Sequence, residues 1–390
     1  MKRKWTLVVT IALAIVMVSS FGLAGCKTAT STTAAAETTA AAETTVAAET
    51  TAAAETTAAP AKKFKVGFSN GLITHSWRTQ MTADMVLEFN YFKGQGIVDE
   101  LLIQHAGNDV DVQIQQIRNL INSGIDLLII NPNSASALDP VIEEAVDKGI
   151  LVFTGNQAIT SEVAYQIVPD SRTWQAKLAE YVFGRLNGKG KVLYVSGFEG
   201  QPISEDREAV FMELLKKYPD IEFLSRIYGH WSDSTAQQAV ATALAAFPEI
   251  DGVVQQDGMG LGIIKAFQAA NRKVPVISGE GSLPFMDMWK ELRDKEGFEC
   301  YAIGDGPGLT TNMALGIGLR MLQGKKIKEG FFGNSTDYFE AFPKTAYVQY
   351  APEFDNSTLD KIYDEHIATK GIADWIDEWP SQEELDALFE

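Results

Sequence analysis

Cysteine is almost missing from this 390-residue chain, with Cys26 and Cys300 its whole complement. No framework of bridges staples the fold, so stability must come from buried apolar surface. Histidine is nearly as scarce. His75, His105, His230 and His366 are scattered, no two at metal-ligand spacing, and no metal site is expected. Positive charge is outnumbered, 33 Lys and Arg against 51 Asp and Glu, for a net charge of −18. A surface that acidic argues against nucleic acid and against docking by charge onto anionic lipid. Catalytic signatures are lacking too. There is no G-x-S-x-G elbow, and Gly258-Met-Gly260-Leu-Gly262 falls short of the dinucleotide spacing and reads as a closely packed helix start. Gly188-Lys-Gly-Lys191 is too short for a phosphate loop and reads as a turn. No cofactor and no catalysis are expected; a carboxylate pair hydrolysing a glycoside is the rival to weigh. Beyond the first 25 residues no apolar run is long enough to span a bilayer.

The amino-terminal order is informative. Lys2-Arg3-Lys4 precedes an apolar run from Thr6 to Phe21, and Leu23-Ala24-Gly25-Cys26 follows at once. This reads as an export signal over 1–25. Small residues before a cysteine resemble a bacterial lipobox, which implies cleavage before Cys26 and diacylglycerol on its sulfur. Two or more acyl chains anchor a protein stably. An uncleaved transmembrane helix is the alternative, and either way the remainder lies outside the membrane. With Cys26 lipidated, no disulfide within the chain is left. Cys300, in the strand-like run Phe298 to Ile303, is expected to be a buried structural thiol. Residues 26–63 combine the lipidated cysteine with a low-complexity spacer, in which Glu37, Glu43, Glu49 and Glu55 recur every six residues. That period fits neither a helix nor a coiled coil, and too little apolar surface exists to offset ordering. The expectation is a spacer lifting a globular part off the membrane of a thick-walled, Gram-positive-type envelope; a short-period repeat fold is the sharper alternative.

From Phe64 the pattern changes. Lys65 to Ser69, Leu101 to Ile103, Leu127 to Ile130 and Leu151 to Thr154 read as strands, with helices over Arg78 to Lys93, Asp111 to Ser123 and Ala135 to Lys148. The scheme repeats with strands at Lys191 to Val195, Gly252 to Gln255 and Val274 to Ile277, and helices from Ser204, Ser234 and Gly260. Alternating strand and helix means parallel sheets covered on both faces, here an α/β fold of two doubly wound lobes. The acidic tail from Asp355, with Trp375 and Trp379 and the helically spaced Leu385, Leu388 and Phe389, is expected to pack against a lobe, with partner docking as the alternative.

In doubly wound sheets ligands bind beyond the carboxyl ends of strands. Those ends carry Ser69-Asn70-Gly71, His75 to Arg78, Asn131, Asn156-Gln157, Glu199 to Glu205, Trp231, Gln256-Asp257, Glu280 and Asp305. Amides, carboxylates and indoles together suit a small polyhydroxyl ligand, because polar groups meet hydroxyls and an indole packs on a ring's C–H face. Any single one could be turn or capping chemistry.

The stretch from Phe64 to about Tyr350 resembles the type I periplasmic binding proteins, near their ribose-binding branch. Lys65-Val-Gly-Phe-Ser69, Ile130-Asn-Pro132 with Ser134 and Ala137, Gln256-Asp257-Gly-Met-Gly-Leu-Gly262 and Glu280-Gly281 carry the likeness by their order and spacing. It implies two lobes joined by three crossings, closing over a solute handed to an ABC permease. Lobe 1 is expected over 64–168 plus 306–336, lobe 2 over 169–305 plus 337–350, and an acidic extension over 351–390. By the same resemblance Trp77 and Trp231 stand at stacking positions, Arg78 replaces a second stacking ring, and His75 falls at or beside a hydroxyl-binding asparagine. Asn131 matches an asparagine. Asn156-Gln157 replace an Asp-Arg pair, Glu205 replaces an arginine with Arg207 matching a nearby one, and Gln256, Glu280 and Asp305 replace Asn, Asp and Gln. Ribose is therefore in doubt, and the cleft should be more acidic than a ribose site. A sugar or polyol is expected, with an amine-bearing ligand or a sensory lipoprotein feeding a receptor as alternatives. A lipid-anchored monomer without nucleic acid is expected, since the spacer occupies the place where related repressors carry a helix-turn-helix. Replacing Cys26 with serine should abolish incorporation of labelled palmitate in growing cells; undiminished labelling would disprove the anchor.

Overall fold

In a computed structural model, residues 62–73, 75–370 and 373–390 are described, so Cys26, the signal segment and all but the end of the spacer lie outside them. In chain order come β1 (Phe64–Asn70), α1 (Ser76–Gly94), β2 (Val98–His105), α2 (Val110–Asn122), β3 (Leu127–Asn131), α3 (Asp139–Asp147), β4 (Leu151–Gly155) and β5 (Tyr165–Pro169). Next are α4 (Ser171–Arg185), β6 (Gly190–Ser196), α5 (Pro202–Leu215), β7 (Ile221–Tyr228), α6 (Asp233–Ala246), β8 (Gly252–Gln255), α7 (Gly260–Ala269), β9 (Val276–Ile277), α8 (Leu283–Glu296) and β10 (Tyr301–Ile303). The order finishes with α9 (Leu309–Leu322), β11 (Thr345–Val348), β12 (Glu353–Asp355), α10 (Leu359–Lys370) and α11 (Gln382–Asp386).

Alternation along each strand builds two cores per sheet. The first sheet, β11-β5-β4-β3-β1-β2, is parallel throughout. Val66, Phe68, Leu127, Ile129 and Phe153 pack with Met81, Met85 and Phe89 of α1 and Leu315 and Leu319 of α9. Their neighbours Leu128, Ile130 and Val152 point the other way, onto Ile117 and Leu120 of α2 and Val141 and Ile142 of α3. The second sheet, β7-β6-β8-β9, is also parallel. Leu193, Val195 and Val253 face α6, α7 and α8, while Val192, Tyr194 and Val254 face α4 and α5. Burial on both faces is what a parallel sheet requires, and the fold is the two-lobed α/β architecture expected. Cys300 is buried, its Sγ 3.3 Å from the Ile277 carbonyl.

Differences from expectation have local causes. The helix expected from Ala135 begins at Asp139, because Pro140 fits only a first turn. β9 is cut to Val276–Ile277, since Pro275 has no N–H to give a ladder. Residues 345–348, expected in lobe 2, form β11 and extend the first sheet, with Thr345 opposite Gln166. The Gln166 N–H donates to Lys344 O at 2.8 Å and the Asp170 N–H to Val348 O at 2.8 Å, satisfying groups the β5 edge would otherwise strand.

The chain passes between sheets after β5, after β10 and after β11. The expected tail helix does pack, with Leu385 and Phe389 in the first lobe's core. α10 lies instead on the second lobe, where Leu359 is buried. At the sheet margins β2 shows exposed Asp99 and Glu100, and β7 exposed Glu222 and Arg226. The outer side of β11 is covered by residues 333–334: Gly333 N–H donates to Thr345 O at 2.7 Å, and Asn334 bonds both backbone groups of Tyr347. Phe153→Ala, at a fully buried position between β3, β5 and α9, should cost about 3–5 kcal/mol in urea unfolding, and a loss below about 1 kcal/mol would contradict this packing.

Candidate functional site

The carboxyl ends of both sheets open onto one cavity of about 400 Å³, within the ~300–1,000 Å³ usual for small-molecule sites. Lobe 1 contributes His75, Trp77 and Arg78 from the start of α1, and Asn156 after β4. Lobe 2 contributes Arg207 from α5, Trp231 after β7, Asp257 after β8, Glu280 after β9 and Asp305 after β10. The lobes touch across the opening. The His75 ring sits 6.5 Å from that of Trp77 and 6.4 Å from that of Trp231, and Gln201 Nε2 donates to Asn108 Oδ1 at 2.7 Å.

Each wall is held by its own neighbours. Trp77 Nε1 donates to the Asp305 carbonyl at 2.7 Å, which fixes the indole against the hinge. Arg78 Nη1 donates to Asn70 Oδ1 at 3.2 Å and its guanidinium lies 5.4 Å from the Trp77 ring. Trp231 meets Phe198 edge-on at 5.5 Å and fills the space beside Gly197, where a Cβ would come within 2.2 Å of the indole. Asn156, Trp231 and Asp257 all have positive φ, at 72°, 49° and 76°. Asn and Asp adopt such backbone more readily than most residues, whereas it is uncommon for tryptophan, and it clusters at functional sites.

Seven of the expected contacts, His75, Trp77, Arg78, Asn156, Trp231, Glu280 and Asp305, line the cavity. Ser69, Asn131, Gln157 and Gln256 do not; they stand buried behind the wall. Gln113 Nε2 donates to Ser69 Oγ at 3.3 Å, while Gln157 Nε2 donates to Pro132 O at 2.8 Å and Asn131 Oδ1 at 3.3 Å. Gln256 is committed to Gly197 N–H, Ser204 and the Tyr194 hydroxyl. The left-handed turn at Asp257 exchanges the pair, so that Asp257 faces the cavity in its place. Glu205 accepts from Gly200 N–H at 2.9 Å outside the cavity, while Arg207, two residues along α5 and so on its opposite side, faces in. Asp233, Ser282, Tyr350 and Trp375 line the cavity without having been singled out as contacts. Asp233 reads in sequence as first-turn acid, and nothing local marks the distant Tyr350 and Trp375.

A family model of the periplasmic binding protein domain matches residues 66–326. The chain belongs to the periplasmic binding protein family. Its relatives include proteins named for binding xylitol and ribose. It is 35% identical over 195 residues to the xylitol-binding protein of Mycolicibacterium smegmatis, a match spanning 49% of this chain and 55% of that protein. The ribose import binding protein RbsB of Bacillus subtilis is 22% identical over 69% of this chain and 85% of its own length. Among solved structures, an ABC transporter solute binding protein from Thermobispora bispora superposes with a TM-score of 0.70 at 25% identity, covering 83% of this chain and 94% of that one. The family consists of substrate-binding proteins.

Charge in this binding protein's cleft is partly balanced from within: Arg207 has carboxyl partners, while Arg78 is bonded to the neutral Asn70 amide. Arg207 stacks on Trp174 at 4.1 Å and donates to Gln256 O at 2.7 Å and Asp257 Oδ2 at 2.5 Å, with Asp305 Oδ2 3.9 Å away. Burial opposes its charge, yet Asp257, Tyr350 and Asp305 outweigh that and hold it above its ordinary value. Burial, then the charge of Asp257, keeps Asp305 protonated well above the carboxylate range. One guanidinium therefore faces two carboxyls, and burial biases Asp305 towards its neutral form. Glu280 accepts from Met259 and Gly260 N–H, Gln255 Nε2 and Ser282 Oγ, at 3.1, 3.0, 3.1 and 2.6 Å. Even so, burial pushes it up to about 7, reinforced by Asp233. His75 is neutral, lowered to about 3 by burial and then by Arg78.

Linkage gives these groups opposite signs. Between about 4.5 and about 7 the folded Glu280 keeps a proton the unfolded chain has lost, so its contribution to stability falls as pH rises. Folded His75 refuses a proton that the unfolded chain takes below about 6.5, so its contribution rises with pH. Glu280→Gln isolates the first effect. Its stability relative to wild type, by chemical denaturation of ligand-free protein, should improve from about pH 5 to about pH 7; a constant difference would show that Glu280 does not titrate there.

Proposed function

We propose that the chain is an extracytoplasmic, lipid-anchored solute-binding protein that closes its lobes over a sugar or acyclic polyol and delivers it to an ABC permease. One observation carries this reading. Among the described residues, His75 Nε2, Trp231 Nε1 and Arg207 Nε are buried without a hydrogen-bond partner, and all three belong to side chains lining the same cavity. Buried polar atoms are seldom left unpaired, because each costs about 1–3 kcal/mol, so a ligand rich in hydroxyls completes them. The indoles of Trp77, Trp231 and Trp375 supply apolar faces for C–H groups, and Asn156, Asp257 and Asp305 supply acceptors.

The pairing of the acidic groups favours a ligand without positive charge. The acidic strand ends open the alternative of an amine, but Arg207 already answers Asp257 and Asp305, and Glu280 is saturated by protein donors. Asp233, the remaining carboxylate of the lining, accepts from Gly262 N–H at 2.8 Å and is raised from its ordinary value by burial. The relatives that bind xylitol and ribose support the same class. Melting curves of the full chain, in a detergent without a sugar head, should be read against pentoses, hexoses, polyols and small amines. At 100 times its dissociation constant the true ligand adds about 2.7 kcal/mol. A shift with a sugar or polyol, reduced about tenfold in affinity by Trp231→Ala, is expected; a response confined to amines would overturn the reading.

A further inference from the structure

The family match ends at residue 326, yet a segment nearly fifty residues further on forms part of the cavity wall. The chain leaves α10 on the second lobe and reaches α11 on the first by way of residues 373–377, which makes a fourth passage between the lobes. Every described residue of this strap is held. Ala373 O lies 2.9 Å from His366 Nε2, and Asp374 O accepts from Leu283 N–H at 2.7 Å. The Gln80 side-chain amide grips Trp375 at both backbone groups, accepting from its N–H at 2.9 Å and donating to its carbonyl at 3.0 Å. Trp375 Nε1 donates to Ser76 Oγ at 2.9 Å. The next residue turns to the other lobe: Ile376 N–H donates to Gly281 O at 2.8 Å. Successive side chains thus enter different cores, Trp375 that of lobe 1 and Ile376 that of lobe 2.

The strap also lies on the hinge itself. The crossing after β10 carries Gly304, Gly306 and Gly308, and each gives it room. A Cβ at Gly304 would meet Ile376 at 3.2 Å, and one at Gly306 would meet Asp377 Oδ1 at 2.2 Å. Gly308 N–H donates to Asp377 Oδ2 at 2.9 Å. Hinge and strap are shaped for each other.

We propose that residues 373–377 are a clasp tying the two lobes across the hinge, with Trp375 as a fixed indole wall that sets the size of ligand the cavity accepts. The size limit rests on the sugar or polyol reading; the clasp does not. A wall carried by both lobes keeps its place relative to Ser76 and Gln80 on α1 and to Gly281 and Leu283 beside α8 only while the lobes hold this arrangement. Opening must break the bonds on one side.

Two variants of the full chain separate the claims. Gln80→Ala removes the grip on the Trp375 backbone without touching the cavity lining. In ligand-free protein it should raise hydrogen exchange at the Trp375, Ile376 and Leu283 amides by about tenfold or more and enlarge the radius of gyration in solution scattering. Unchanged exchange and scattering would overturn the clasp. Trp375→Ala, with Trp375→Phe as the conservative control, should weaken binding of the best polyol about tenfold by calorimetry and admit longer polyols or disaccharides that wild type refuses. Wild-type affinities in the same rank order would overturn the wall. If wild type binds no sugar or polyol, the ligand reading fails and the exchange experiment still decides the clasp.

Discussion

Arg207 is the charge on which the cleft depends. Its guanidinium is 2% exposed, stacked on Trp174 of α4, bonded to the end of β8 and facing the hinge carboxyl of Asp305. A buried cation is tolerable only with close partners, and removing one partner from such a group costs about 3–5 kcal/mol. Three chain segments must therefore arrive together: the start of α5, the left-handed turn after β8, and the crossing after β10. The same Asp305 offers its carbonyl to Trp77 from the opposite lobe. Hinge geometry, the second lobe's strand ends and the first lobe's indole are thereby tied to one ion cluster.

That cluster leaves the second lobe's wall polar, with its guanidinium answered. Neutral His75 between two indoles, and Asp305, raised by burial, offer hydrogen bonds around it, while Glu280 is committed to protein donors. Specificity then rests on where donors and acceptors sit, and the backbone fixes them. Trp231 holds a left-handed conformation that costs about 1–3 kcal/mol and persists only where the surroundings dictate it. Gly197 is one such surrounding, since only its missing Cβ leaves room for the Trp231 ring.

Much of this was legible in the residues. Apolar runs alternating with amphipathic stretches gave the two parallel sheets, because burial on both faces leaves a plain signature. Strand ends rich in amides and indoles located the cleft. What stayed hidden depends on orientation and distance in the chain. Gln256 and Asp257 are neighbours, and only a positive φ decides which one faces the cavity. Glu205 and Arg207 differ by half a helical turn, which a strand-end inventory does not resolve. β11 joins the first sheet through register with β5, and Trp375 reaches the cavity from the far end of the chain, so neither has a local signal.

The margins of the sheets bear on how the molecule behaves in a crowd. An open strand edge is a template for another chain, and proteins blunt it with charge or cover. Here β2 shows Asp99 and Glu100, β7 shows Glu222 and Arg226, and β11 is already satisfied by Gly333 and Asn334. A second chain approaching the β2, β7 or β11 margin would therefore meet charge or backbone groups already taken.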